Sequence, residues 1–298
     1  MEIVLERLRN NDPELTELSY QCSNPSRVAE ALMQNTMVTE LDLSYNRIKS
    51  FRSLGQIESP GEAWVSLGDL LRHNSTLTSL DLSSNKFGSH EFQYMGDVER
   101  EITGWYDRGL QEFVPNPHVN PDILQIDEDV RYFIDSFLLN TSLRSLRLND
   151  NEMGLNDIRY FSQMLQLNST LQDLDLSEMY VEADGARYLG EALQLNSALL
   201  SLNLSSCHML DTGARHLSNA LQVNTTLTYL DVSNNYLEAD GIQSLADALA
   251  TNSSIIELII GNFGSNADLD ARLRRNVSNA HLKDAGLSYT LYKELYLK

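Results

Sequence analysis

The sequence predicts an α/β solenoid in which about eight parallel strands lie on the concave face and helices lie on the convex face. Three observations predict it: a fixed 28-residue period, a short alternating apolar segment in each unit, and an amphipathic segment after it. Five units open at apolar residues that follow one another at this period: Leu143, Leu171, Leu199, Leu227 and Ile255. Three less regular units open upstream, at Leu15, Val38 and Leu77.

Each unit has a strand half and a helix half. The pattern L-x-x-L-x-L alternates apolar and polar residues, which predicts a short strand. The helix half is predicted over 185–196, 213–224 and 241–252, where apolar residues recur at helical spacing, as at Leu189 and Leu193. A Gly or Asp is expected to start most of these helices, and an Asn is expected to end each one.

A single strand–helix unit cannot bury its own apolar face, whereas stacked units share one core. We therefore expect one solenoid domain over 1–298. Residues 1–14 are predicted to form a capping helix, 15–276 the repeats, and 277–298 a C-terminal cap or tail.

The repeated units resemble those of leucine-rich-repeat proteins, in particular the 28-residue subclass typified by ribonuclease inhibitor. The resemblance covers about 15–276 and implies a horseshoe-shaped solenoid. It also implies a turn position that takes Asn or Cys, occupied here by Asn46, Asn85, Asn151, Cys207 and Asn235. Cys207 is therefore expected to be a buried small residue and not a catalytic thiol.

The charge balance limits the possible partners. The chain has 42 acidic and 22 basic residues, a formal net charge of −20. This argues against nucleic acid and anionic membranes as partners, and it favours a protein with a basic surface. No apolar run approaches a membrane span, and the charged N-terminus is unlike a secretory signal. We expect a cytoplasmic protein, with secretion into a host cell without a cleaved signal as the alternative.

Seven Asn residues lie in glycosylation sequons, and six of them share one helix-ending position, so a structural role is expected for these. The six are Asn74, Asn140, Asn168, Asn224, Asn252 and Asn276, and the seventh is Asn203. Two cysteines do not make a disulfide framework.

Two insertions break the period. Val38 and Leu77 are 39 residues apart, 11 more than the period, and Leu77 and Leu143 are 66 apart, 38 more. Alignment of the flanking helices places the insertions at about 49–62 and 89–127, each after a strand and before a helix. Insertions in repeat proteins gather on one face, which is often the binding face.

The longer insertion is rich in aromatic residues: Phe92, Tyr94, Trp105, Tyr106 and Phe113. Residues 90–113 are expected to be helical, whereas the following "VPNPHVNP" has too many prolines for a helix. Aromatic anchors of this kind dominate protein interfaces, which favours binding. The alternative is that these rings pack on the solenoid as a local core.

The concave face supplies the remaining candidates. The Asp residues of the "LDLS" motifs are common in such repeats, so the less usual side chains are the better binding candidates. The candidate binding residues on this face are Tyr45, Arg147, Asp173, Asp175, Glu178, Tyr229, Glu257 and Ile259. Asp150 is expected to cluster with Asp173, Asp175 and Glu178, but no His joins them at metal-ligand spacing.

Catalytic and cofactor motifs are not recognised in the sequence. His208 is expected to be alone in a loop, and His73 and His216 are expected in helices. The prediction is therefore a monomeric, non-catalytic protein without a cofactor.

The function predicted is protein binding that inhibits or regulates the partner. The resemblance to ribonuclease inhibitor implies an enzyme whose active site is occluded. The polar C-terminal tail is similar to those of Legionella-type leucine-rich effectors, which implies an effector that acts on another effector. Two alternatives stay open. The segment "NNDPELTEL" (10–18) resembles the actin-capping tropomodulins, which implies actin binding, and the long acidic repeats resemble the Ran-activating proteins, which implies GTPase activation.

Overall fold

The computed structural model describes residues 2–21, 24–48, 62–88, 104–107, 112–115, 126, 128–261, 272 and 276. The described strands are β1 Glu17–Ser19, β2 Glu40–Asp42, β3 Ser79–Asp81, β4 Gly104–Asp107, β5 Glu112–Pro115, β6 Ser145–Arg147, β7 Asp173–Asp175, β8 Ser201–Asn203, β9 Tyr229–Asp231 and β10 Glu257–Ile259. The described helices are α1 Glu2–Arg9, α2 Pro25–Leu32, α3 Glu62–His73, α4 Glu128–Ser136, α5 Leu155–Leu167, α6 Glu182–Leu193, α7 Leu210–Leu221 and α8 Ala239–Ala248.

The eight repeat strands are parallel and follow chain order in one open sheet, β1-β2-β3-β6-β7-β8-β9-β10. The central leucines pair in register, as Leu18 with Leu41 and Leu202 with Leu230. Each strand of this sheet has three residues, because only the central residue and its two neighbours pair before the chain turns toward a helix. The predicted α/β fold class is confirmed.

The chain divides into two compact units. The first unit contains 1–143 and 147–164, and the second contains 144–146 and 165–298. The core of the first unit includes an aromatic row in which Trp64 lies 4.4 Å from Phe87, and Phe87 lies 5.2 Å from Phe133, between ring centroids. In the second unit, leucines such as Leu202 and Leu217 are fully buried.

The predicted helix boundaries in the second unit are wrong by about three residues. The expected helices 185–196 and 213–224 are observed as Glu182–Leu193 and Leu210–Leu221. Each helix starts earlier because an acidic first turn, such as Glu182 and Asp184 in α6, favours the positive end of the helix dipole. The Asn expected to end each helix follows it and shapes the next turn.

Asn224 shows what this Asn does. Its Nδ2 donates to the carbonyl oxygens of Leu193 at 2.7 Å and Asn196 at 3.2 Å in the preceding repeat. Its Oδ1 accepts from the backbone N–H groups of Thr226 and Leu227. The equivalent sequon residues are buried with 0–7% exposure: Asn74, Asn140, Asn168, Asn224, Asn252 and Asn276. Their predicted structural role is confirmed, since a buried polar group needs such partners.

The insertion after β3 contains an antiparallel strand pair. β4 pairs with β5, with Trp105 opposite Val114 and Tyr106 opposite Phe113. The helix expected over 90–113 is therefore wrong at the described residues, because aromatic and β-branched residues favour strands. Phe92 and Tyr94 lie outside the described residues. Within the part that the structure describes, no helix has the length and hydropathy to cross a membrane.

Candidate functional site

The candidate site is the outward face of the repeat strands together with the turns that follow them. Side chains alternate across a strand, so the central leucine of each strand is buried and its neighbours point outward. In β7, Leu174 is 2% exposed, while Asp173 is exposed and Asp175 is partly exposed. The face is thus built from a pair of outward side chains at each repeat strand, and both are polar in every one of these strands except β10, where Ile259 is apolar.

The Asp residues at the strand ends hold the turns. In four strands the Oδ1 atom accepts from the backbone N–H two residues later, at 2.8–2.9 Å: Asp42 from Ser44, Asp81 from Ser83, Asp175 from Ser177 and Asp231 from Ser233. Such a bond mimics a backbone turn. These carboxylates therefore have a folding role that explains their recurrence without a bound ligand.

The second carboxylate oxygen links neighbouring strands. Asp42 Oδ2 accepts from Ser19 Oγ at 2.8 Å, and Asp81 Oδ2 lies 3.5 Å from Arg147 Nη1. Partial burial raises the pKa of Asp42, but hydrogen bonds from Ser44 and Ser19 outweigh it, so the pKa lies below its usual value. Asp42 stays ionised wherever the chain is folded at neutral pH.

In the first unit, the structure places two predicted binding residues in exposed positions. Tyr45 is 67% exposed and has a φ of +58° in the turn after β2. Arg147 is exposed at the end of β6, where the ion pair with Asp81 is long. Both side chains are therefore open to solvent, and an ion pair at such a surface stabilises the fold little.

In the second unit, the predicted acidic cluster is divided. Asp173 and Glu178 are exposed, whereas Asp175 uses Oδ1 in its turn and accepts from Asn203 Nδ2 at 3.2 Å through Oδ2. Among the described residues, no group of three or more His, Cys, Asp or Glu side chains is arranged to hold a metal. Asp173, Asp175 and Glu178 therefore act as separate charges and do not form one acidic cluster.

The last two strands carry three more of the predicted binding residues. Tyr229 lies in β9, and Glu257 and Ile259 lie in β10. Tyr229 pairs in register with Glu257, and Ile259 pairs with Asp231. All four side chains are partly buried. Burial raises the pKa of Glu257, and the nearby Asp231 carboxylate raises it further. This end of the strand face is therefore less polar than the Asp173 end.

The structure also reveals a ring ladder, formed by Tyr180, His208 and Tyr236, which the sequence reasoning missed. The Tyr180 and His208 rings are stacked with centroids 4.9 Å apart, and His208 and Tyr236 are 5.5 Å apart. The expectation that His208 is alone is wrong. The signal was available, because the three residues are separated by the 28-residue period and therefore occupy the same turn position in successive repeats.

Cys207 directly precedes His208 in the chain, is fully buried and is not a nucleophile. Its Sγ lies 3.2 Å from the carbonyl oxygen of Leu176, and burial raises the pKa of the thiol to about 12. The thiolate is the reactive form of cysteine, so this thiol is inert at neutral pH. Cys22 lies outside the described residues.

Comparison with known proteins agrees with the repeat pattern. The family described as "Leucine Rich repeat" matches at 34–50, 73–89, 139–162, 195–218 and 223–246. Leiomodin-2 of Mus musculus is 34% identical over 91 residues, which cover 28% of this chain and 14% of leiomodin-2. The chain thus matches about one seventh of the length of that relative.

Two solved structures are similar at low identity. One is "Leiomodin-1 Actin-Binding Site 2 (ABS2)", 22% identical with a TM-score of 0.42, covering 45% of this chain and 82% of the other. The other is a tropomodulin C-terminal domain from Caenorhabditis elegans, 19% identical with a TM-score of 0.44, covering 50% and 96%. The five matched segments of this chain are leucine-rich repeats, and the repeat strands and helices form an α/β solenoid.

Proposed function

We propose that this chain is a non-enzymatic protein-binding module whose partner is actin. One observation carries the choice of actin: the 34% identity to leiomodin-2 over 91 residues. The leiomodin-1 structure is that of an actin-binding site, and we extend actin binding to this chain as a proposal. Actin capping was an alternative at the level of sequence, and the leiomodin likeness supports it over an effector role.

The segment at 10–18 that resembles tropomodulins has a folding role of its own. Asp12 accepts from Arg7 Nε at 2.5 Å and from the backbone N–H of Glu14 at 3.0 Å. Asn11 Oδ1 accepts from the backbone N–H of Thr36. These bonds connect α1 to the first repeats. The resemblance of this segment to tropomodulins is therefore explained by its role in the N-terminal cap of the solenoid. The proposal therefore rests on the leiomodin-2 match.

The geometry of the first unit suits a broad protein surface. Tyr45 and Arg147 are exposed, and Tyr and Arg are the residues that most often carry binding energy at interfaces. Tyr45 lies in the turn after β2 and Arg147 lies at the end of β6, so the backbone that carries each side chain is already ordered by hydrogen bonds. We propose these two side chains as contacts to actin, with Asp42 and Asp81 as the polar rim.

The test is binding of purified skeletal actin, measured by co-sedimentation with filaments and by calorimetry with monomers. We expect saturable binding to one of the two forms. Arg147→Glu should weaken it about tenfold, since a central charged contact is worth 1–2 kcal/mol. Arg215→Glu is the matched control, because Arg215 is exposed on helix α7. This variant should bind actin with the affinity of the wild type.

Failure to bind either form of actin would exclude the proposal. Equal weakening by Arg147→Glu and Arg215→Glu would show that net charge alone governs binding and would exclude the first-unit site.

A second candidate is favoured by the net charge of −20. In it, the chain binds and inhibits a protein with a basic surface, such as an enzyme whose active site is covered, in the manner of ribonuclease inhibitor or of a secreted effector. This candidate predicts affinity that falls steeply with salt, because charge complementarity would supply most of the attraction. Titration of a basic enzyme such as pancreatic ribonuclease at low and high salt tests it, and salt-independent affinity or no binding would exclude it.

A further inference from the structure

The ring ladder is an aromatic surface that the proposed actin contacts do not use. The ring planes of Tyr180 and His208 are inclined by only 7°, and those of His208 and Tyr236 by 38°. Tyr180 is 51% exposed and Tyr236 is 66% exposed. Neighbouring rings of three successive repeats thus present stacked faces and edges to solvent.

An open cavity of about 430 Å³ lies beside the ladder. Its lining includes the His208 and Tyr236 rings, and Ser206, Asn234 and Gly261 add polar groups to that lining. The cavity is large enough for a planar side chain that stacks on one ring and donates hydrogen bonds to hydroxyl, amide and carbonyl oxygens.

The three turns that carry the rings are uniformly acidic. Residues 177–184, 205–212 and 233–240 contain no Lys or Arg and the following six acids: Glu178, Glu182, Asp184, Asp211, Glu238 and Asp240. Asp184 lies 3.6 Å from Arg187, and Asp211 Oδ1 accepts from the backbone N–H of Glu238. The other four acids are exposed. The surface therefore combines ring faces with negative charge.

We propose that the ring ladder and its acidic turns bind arginine side chains of a basic protein segment. The guanidinium group is planar, always charged and weakly hydrated, so it stacks on aromatic faces while its N–H groups reach carboxylates. Lysine offers only a point charge and stacks less well. This site lies in the second unit and is independent of the proposed actin contacts.

The chain already uses this chemistry within the second unit. The guanidinium carbon of Arg187 lies 4.1 Å from the centroid of the Tyr188 ring, and its Nη1 donates to Glu191 at 2.9 Å. Arginine on tyrosine, beside a carboxylate, is thus a stable arrangement on this scaffold. The ring ladder supplies the tyrosines and the carboxylates, and the partner would supply the arginine.

The test uses the full chain and a short peptide of alternating Arg and Gly, titrated by calorimetry. Tyr180→Ala and Tyr236→Asn should each weaken binding about two- to fivefold, the usual value of one exposed cation–π contact. Asn is chosen because Tyr236 has a φ of +55°, a conformation that Asn tolerates. Val223→Asn is the matched control, since Val223 is 58% exposed after α7, and it should bind as the wild type does.

Two further comparisons separate stacking from general attraction. A citrulline peptide, which is planar but uncharged, and a Lys peptide should both bind more weakly than the Arg peptide. Glu238→Gln should weaken binding, whereas Glu30→Gln, which removes an exposed carboxylate from α2, should not.

Each outcome decides the proposal. Equal affinity of the Arg and citrulline peptides would overturn it, as would equal affinity of Tyr236→Asn, Tyr180→Ala and Val223→Asn. Equal loss in Glu238→Gln and Glu30→Gln would show attraction by net charge and would also overturn it. Urea unfolding midpoints identical to the wild type show that each variant is folded, and actin binding by the same variants stays unchanged if the two sites are independent.

Discussion

Asn235 and Tyr236 are adjacent in the chain, and each belongs to a ladder with the 28-residue period, but their surroundings are opposite. Asn235 is 1% exposed; its Nδ2 donates to the carbonyl oxygens of Leu204 and Val232, and its Oδ1 accepts from the N–H of Cys207. Tyr236 is 66% exposed and its ring lies 5.5 Å from the His208 ring, inclined by 38°. The period alone does not separate a folding role from a binding role, whereas burial and hydrogen bonding do.

The neighbouring repeats extend the comparison. The inner ladder largely keeps its chemistry, because in five described repeats a side chain donates to a carbonyl of the preceding repeat: Asn46, Asn85, Asn151, Cys207 and Asn235. The exception is Met179, which occupies the same position, is buried and has no donor. The outer ladder changes its chemistry. In the first unit it includes Lys86 and Glu152, which form an ion pair at 2.7 Å, and in the second it consists of rings. These outer positions are exposed or partly exposed, so packing constrains their chemistry less than it constrains the inner ladder.

The largest expected effect is from Asn235→Ala. It removes hydrogen bonds at 2.6, 2.9 and 2.8 Å and leaves the carbonyl of Leu204 and the N–H of Cys207 buried without that partner. We expect a loss of about 3 kcal/mol in the free energy of unfolding, measured by urea denaturation. Asn234→Gly is the control, since Asn234 is exposed with a φ of +55° that Gly adopts freely. Equal losses in both variants would contradict the account of the inner ladder.

A smaller effect is expected at Cys207, which occupies an inner-ladder position with a weaker donor. Cys207→Ala deletes the contact to the Leu176 carbonyl and should lose about 1 kcal/mol. Cys207→Asn restores the donor and acceptor of the equivalent repeats, so we expect it to be more stable than Cys207→Ala. Thermal or urea unfolding of the two variants measures this difference. If Cys207→Asn is the less stable of the two, the position is specific to sulfur and the equivalence is wrong.

The smallest expected effect is pH-dependent and concerns Glu257. This side chain is partly buried, so its exposure lies between that of the buried Asn235 and that of the exposed Tyr236. Burial, with help from Asp231, raises its pKa above the usual Glu value. The folded chain therefore holds this proton more tightly than the unfolded chain, and ionised Glu257 opposes folding at pH 7.

Glu257→Gln should accordingly gain up to about 0.5 kcal/mol at pH 7, allowing for solvent screening. The gain should vanish as the pH falls below about 4.3, where Glu is protonated even in the unfolded chain. Urea unfolding at a series of pH values measures it, with Asp173→Asn on the exposed part of the strand face as the control. A gain that persists at low pH would assign the effect to packing instead of charge.

The fold was predictable because burial imposes the period. The leucines of the strands must face inward and the helix residues must cover them, so spacing alone predicted eight parallel strands in chain order. Helix ends were not predictable, because Asn is common both as the last residue of a helix and in the turn that follows it. Asn196 is of the second kind, since its Oδ1 accepts from the N–H groups of Ala198 and Leu199. The strand pair at Trp105 was missed because its insertion has no repeat to compare it with.

The site was predictable only in part. Alternation along each strand selected Arg147, and the turn position after the last strand leucine selected Tyr45; both side chains are exposed. Neither pattern gives a contact between side chains of different repeats. The stacking of His208 on Tyr180 depends on the turn conformation, including a φ of +57° at His208, which spacing does not specify.

The central claim is that the two ladders separate folding from binding, and urea unfolding of Asn235→Ala beside Tyr236→Asn tests it most directly. The account predicts that Asn235→Ala loses about 3 kcal/mol, whereas Tyr236→Asn stays within about 0.5 kcal/mol of the wild type. If Tyr236→Asn loses as much stability as Asn235→Ala, the ring ladder is part of the folding scaffold and the separation is wrong.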